Sequence, residues 1–195
     1  MRAAILVLFA SFACARLSAQ EADTLYTLTV YTGGGYTRNV SSFEAEPTGL
    51  QRDGLAGTLR VMWKPEHLLR LGLETGLTHV YRVKVTNVRS AFGTTDGRSS
   101  LNAIPLVIMF SMPLMENLEI LAGAGIFILY SSSEAFGSTA VSTVISPAFL
   151  ASACYLIPLS DSFKIGAELK WYRFDRFDDN NVGLQVLVSY KILEW

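Results

Sequence analysis

The chain has 195 residues, of which 50% are hydrophobic and only 17% charged. That composition excludes a disordered chain, which lacks apolar bulk and carries excess charge. Sixteen Lys and Arg against 17 Asp and Glu give a formal net charge of -1, which argues against a basic nucleic-acid-binding surface.

The first element is a leader. Arg2 gives a positive start, residues 3–13 are apolar, and small residues lead to Leu17-Ser18-Ala19. This is the layout of a secretory signal peptide, too short to cross a bilayer as a helix. Residues 1–19 are expected to be removed, with cleavage after Ala15 as the alternative, leaving residues 20–195 as one domain. Cys14 follows Ser11-Phe12-Ala13, a poor context for lipid attachment. With Cys14 in the leader, Cys154 stands alone as a small hydrophobe.

The rest of the chain alternates with a period of two. An opening segment sets Tyr26, Leu28 and Val30 against Thr27, Thr29 and Tyr31. Residues 55–63 set Leu55, Leu59, Val61 and Trp63 against Ala56, Thr58, Arg60 and Met62. Residues 69–78 set Leu69, Leu71, Leu73 and Leu77 against Arg70, Gly72, Glu74, Gly76 and Thr78. Residues 102–112 are apolar on both faces, so their facing stays open. In 118–130, Leu118, Ile120, Ile126 and Ile128 oppose Glu119, Gly123 and Gly125, while Leu121 and Phe127 spoil the alternation. Residues 141–157 are also apolar throughout; Ser142, Ser146 and Ser152 mark a polar side, and Pro147 weakens the strand. Residues 163–172 set Phe163, Ile165, Ala167, Leu169 and Trp171 against Lys164, Gly166, Glu168, Lys170 and Tyr172. Residues 182–192 set Val182, Leu184, Val186, Val188, Tyr190 and Ile192 against Gly183, Gln185, Leu187, Ser189 and Lys191. A transmembrane helix over 103–130 is excluded by Pro105, Pro113, Glu116, Asn117 and Glu119.

Eight strands result, and their connections alternate in length. Short turns fall at 64–67, 113–117 and 158–162. Longer polar connections fall at 37–53, 86–100, 131–140 and 175–181. This is the pattern of an all-β, eight-stranded antiparallel up-and-down transmembrane β-barrel. A soluble lipocalin-like barrel would bury the apolar face instead. Placing Arg60, Arg70, Glu74, Glu168 and Lys170 in lipid would cost several kcal/mol each near the midplane, so these residues are expected to point inward. Arg60, Arg70 and Glu74 then form one lumen network, and Lys164, Glu168, Lys170, Gln185 and Lys191 a second across the last two strands. Such networks satisfy buried charge. Eight strands leave an interior just wide enough for side chains, so no open pore is expected.

Nothing specific marks a catalytic, cofactor or metal site. His67 and His79 are twelve residues apart with no nearby cysteine. Asp175, Asp178, Asp179, Asn180 and Asn181 read as a solvated loop, because their spacing does not match an EF-hand. His79, Ser90 and Glu74 carry no triad spacing.

The chain resembles the small outer-membrane β-barrels of Gram-negative bacteria, OmpA- and OmpX-like in architecture. The carrying residues of its PorT-like branch are Asn102-Ala103-Ile104-Pro105-Leu106, then Leu121-Ala122-Gly123-Ala124-Gly125. The last strand, Leu184 to Trp195, resembles the C-terminal signal read by the barrel-assembly machinery, although Lys191 and Glu194 interrupt its aromatic run. The resemblance implies a monomer in outer-membrane lipids, with periplasmic termini and outward-facing long loops. Trp63, Tyr155 and Tyr190 would anchor the periplasmic interface, and Tyr81, Tyr130 and Trp171 the outer one. The function expected is structural or interactive and non-enzymatic, with envelope or secretion proteins as partners reached through 37–53 and 86–100. The alternatives are a PorT-like accessory of secretion or transport and a lipid-modifying barrel enzyme.

Overall fold

The computed structural model describes residues 26–41, 49–66, 69–90, 93–135, 138–175 and 179–195. The leader with both cleavage sites, His67, Asp178 and the side chain of Ser90 lie outside the described residues.

The strands are β1 (Thr27–Asn39), β2 (Leu50–Gln51), β3 (Asp53–Glu66), β4 (Leu69–Ser90), β5 (Gly93–Pro113), β6 (Leu118–Ala135), β7 (Ser138–Pro158), β8 (Phe163–Phe174) and β9 (Asp179–Glu194). Eight of them close a ring in the order β1-β3-β4-β5-β6-β7-β8-β9, each antiparallel to its neighbours. The β1–β9 pairing seals it, from Thr27↔Glu194 to Asn39↔Asn181. The two-residue β2 is an addition on β4, with Leu50 opposite Val83 and Gln51 opposite Arg82.

Alternation decides which side chains face lipid. Leu55, Leu73, Phe149, Leu169, Leu184 and Val186 point outward and are more than half exposed. Their inward neighbours Thr58, Arg60, Glu74, Glu168, Lys170 and Gln185 are buried. A surface this apolar, wrapped around charged residues, inverts a soluble core and suits a hydrocarbon solvent. Ring closure completes the case, because lipid offers no partners for an open strand edge.

The open facings are resolved by the same parity. In β5, Leu106, Ile108, Phe110 and Met112 face out, while Ala103, Val107, Met109 and Ser111 face in. In β7, Ser146, Leu150, Ser152, Cys154 and Leu156 face in, but Ser142 is exposed above the barrel mouth. Pro147 lies one residue beyond the last β7–β8 pair, Ala148↔Phe174, where the strand has one open side and a proline is tolerated. Pro105 marks a gap in the β4–β5 ladder, which runs to Thr75↔Leu106 and resumes at Thr78↔Ala103.

The connections at 86–100 and 131–140 differ most from expectation. Residues 86–100 are not a loop: β4 and β5 pair there up to Ser90↔Gly93. Residues 131–140 are likewise paired up to Ala135↔Ser138. The physical reason is solvent. Past the bilayer both faces of a strand meet water, so alternation vanishes while Val83, Val85, Thr94 and Thr95 still favour extended backbone. At 22 residues, β4 is about twice the length a membrane strand needs. The β4–β5 and β6–β7 hairpins therefore rise as a wall above one end of the barrel, while β8 ends at Phe174 and β1 at Asn39.

Candidate functional site

The centre of the lumen holds four enclosed charges. Arg60 comes from β3, Glu74 from β4, and Glu168 and Lys170 from β8, and all four side chains are 0% exposed. Arg60 Nε donates to Glu74 Oε2 at 2.7 Å, and its Nη2 donates to Glu168 Oε1. Lys170 Nζ donates to Glu74 Oε1 at 2.7 Å and lies 3.5 Å from Glu168 Oε2. Neutral partners extend the group. Lys170 also donates to Thr58 Oγ1 at 2.8 Å, Thr58 donates to Gln185 Oε1, and Ser152 donates to Glu168 Oε1. Two cations and two carboxylates cancel, the arrangement in which buried charge is tolerable. Because β4 and β8 stand opposite in the eight-strand ring, the Lys170–Glu74 bridge crosses the whole lumen.

The expected networks are redrawn by this geometry. Arg60, Glu74, Glu168, Lys170 and Gln185 form one cluster rather than belonging to two. Arg70 is not in it. It sits four residues along β4, about 13 Å at strand rise, and donates to Tyr31 Oη at 3.1 Å and to Glu119 Oε1. Ser111 donates to Glu119 Oε2 from the neighbouring strand. Lys191 pairs instead with Glu194 at the short-turn rim, and Lys164 is half-buried there opposite Ser189. Both lysines lie too near the strand ends to reach the centre. The Lys191–Glu194 pair is solvent-exposed in part, so Glu194→Gln is expected to change stability by less than about 1 kcal/mol in denaturant titration.

Apolar layers flank the charges on both sides. Toward the wall end, Phe127 meets Tyr172 and Phe174 edge-on at 5.8 and 4.9 Å, with Leu129, Leu150, Leu101 and Val80 around them. Toward the short turns lie Met62, Met109, Leu121, Cys154, Leu156 and Leu187. Leu121 and Phe127, which spoiled the alternation of their strand, are thus lumen residues. The strand walls come close in places: a Cβ on Gly125 would meet the Leu106 carbonyl, and one on Gly35 the Leu184 carbonyl.

The remaining candidates disperse. Asp179 and Asn181 are not solvated but buried, because β9 begins at Asp179 and odd positions of that strand face in. Asp175 is exposed, and Asn180 bonds through its backbone to Val40 and Ser41. His79 Nδ1 lies 2.8 Å from Asn102 Oδ1. Trp63, Tyr155, Tyr190 and Trp171 face outward, whereas Tyr81 packs against the lumen core instead of the outer interface. Its strand carries a bulge between His79 and Tyr81 that turns it inward. Tyr26 stacks on Trp195 where β1 meets the last strand.

No protein-family model and no curated protein sequence matches the chain. Solved structures do. Ail, the attachment invasion locus protein of Yersinia pestis, in complex with the heparin analogue sucrose octasulfate, matches with a TM-score of 0.53 at 10% identity, over 88% of this chain and 100% of that one. The N-terminal β-barrel domain of Pseudomonas aeruginosa OprF matches with 0.46 at 12%, over 84% and 97%. Neisserial surface protein A matches with 0.44 at 14%, over 86% and 97%. The chain has the fold of a small outer-membrane β-barrel, closed by eight antiparallel strands.

Proposed function

We propose that the protein is a non-enzymatic, monomeric barrel of a Gram-negative outer membrane, exported by its leader, with periplasmic termini. Its lumen braces the ring, and its role is structural or interactive through the wall and connections outside the bilayer. The observation that carries this reading is the filled lumen: a neutral charge cluster bridging opposite strands between two apolar layers. Such an interior leaves no water path for solute or substrate. Reconstituted in planar bilayers, the protein is expected to show no single-channel current; a steady current would sink the reading.

A second reading is an accessory of secretion. It rests on the PorT-like segments Asn102–Leu106 and Leu121–Gly125. Loss of a secreted cargo on gene deletion supports it, and an unchanged secretome removes it. A lipid-modifying activity is tested by overexpression, with unchanged lipid A as the expected result.

A further inference from the structure

One strand of the wall is left open on one side. β7 pairs with β6 over its whole height, from Leu118↔Tyr155 to Ala135↔Ser138, in an unbroken register. On its other side β8 pairs only from Pro158↔Lys164 to Ala148↔Phe174. Among the described residues, Ser138–Ile145 therefore has a paired strand on one side alone. At about 3.3 Å per residue this stretch runs some 25 Å, long enough for a full added strand.

Natural sheets blunt such edges with charge, proline or bulges. This one has none of them along its height. Ser138 to Ser146 carry no charge, the register has no bulge, and Pro147 stands only at the base. Thr139, Val141, Thr143, Val144 and Ile145 are β-branched, and Val141 is 70% exposed. The opposite edge of the same wall is capped in its lower part, where β2 pairs with β4 at Arg82 and Val83 and Lys84 N donates to Gly49 O, and its sequence carries the charged residues Arg82, Lys84 and Arg89. The contrast singles out β7.

We propose that Thr139–Ile145 receives an extended, uncharged segment of another protein outside the bilayer, as an added strand. The inference rests on the interaction role above and names its partner chemistry. Main-chain groups of the edge supply the ladder, and alternate side chains supply the fit. Directly opposite positions would meet Thr139, Val141, Thr143 and Ile145 on one face and Ala140, Ser142 and Val144 on the other. Such positions favour Thr, β-branched or aromatic residues and offer a charge no counter-ion. A second copy is the wrong occupant. Antiparallel self-pairing needs a two-fold axis perpendicular to the strand, which turns one barrel upside down. Two barrels in one membrane share their orientation.

The test uses the whole barrel in lipid nanodiscs and a fluorescent synthetic heptapeptide of alternating threonine and valine. Hydrogen exchange of those Thr139–Ile145 amides that point away from β6, alternate ones along the strand, is expected to slow about tenfold at saturation. The triple variant Thr139→Lys, Val141→Lys, Thr143→Lys is expected to weaken peptide binding by about tenfold or more while the barrel still forms. A heptapeptide of alternating lysine and valine is expected not to protect these amides. No binding, protection elsewhere, equal binding by the lysine variant, or edge-facing amides already slow without peptide would each overturn the proposal. Failure here leaves the interaction role standing, whereas a channel current would remove that role and leave the edge result intact.

Discussion

Replacing Glu168 with alanine is expected to lower the unfolding free energy of the barrel by about 3–5 kcal/mol. Glu168 accepts from Arg60 and Ser152 and lies beside Lys170, all in a region closed to water. Without it the cluster holds two cations against one carboxylate. The cost is that of an uncompensated buried charge rather than of one lost hydrogen bond. The cluster is also coupled, so the effects are not additive. Lys170→Met or Glu74→Gln alone strands a partner across the lumen. Together they leave Arg60 paired with Glu168, and the double variant is expected to be more stable than the sum of the singles implies. Urea titration of refolded protein in lipid vesicles measures all four. Equal, additive and small losses would mean that the cluster does not brace the ring.

The second large effect belongs to the outer face. Leu169 lies between Glu168 and Lys170 in the strand but points the other way, 54% exposed. Because the charge cluster sits near mid-height, Leu169→Arg is expected to cost about 2–4 kcal/mol in a bilayer, the range for a cation near the midplane. Thr139→Arg, in the wall above the lipid, is expected to change stability by no more than about 0.5 kcal/mol. The pair separates a lipid effect from a generic cost of arginine on a strand. A soluble barrel would tolerate both substitutions.

The sequence carried the barrel plainly wherever one strand face met lipid and the other met the lumen. Leu69 to Thr78, Phe163 to Tyr172 and Val182 to Lys191 each display both solvents at successive positions, so facing could be read directly. The signal failed where the two solvents became alike. Above the bilayer a strand has water on both sides, and the paired hairpin over 86–100 looked like a polar loop. Inside the lumen, Leu121, Phe127, Leu129 and Leu150 are as apolar as the lipid face, and the interior looked more polar than it is. The charge cluster was legible in its members but not in its partners. Period two gives a face; it does not give the height at which residues on β3, β4 and β8 meet. That height is set by strand register and stagger, which put Arg60 beside Glu168 and left Arg70 to Glu119. Asp179 and Asn181 were misplaced for a related reason, since a strand starting three residues earlier than its apolar pattern reads as loop.

The barrel claim meets its most direct test in a spin-label scan of β9 in lipid vesicles, with Cys154 replaced by alanine. Labels at Leu184, Val186 and Val188 are expected to collide freely with dissolved oxygen, the mark of lipid contact. Labels at Gln185, Leu187 and Ser189 are expected to be shielded from oxygen and from a water-soluble relaxant. A reversed alternation, or outward labels open to the water-soluble relaxant, would contradict a membrane-spanning barrel.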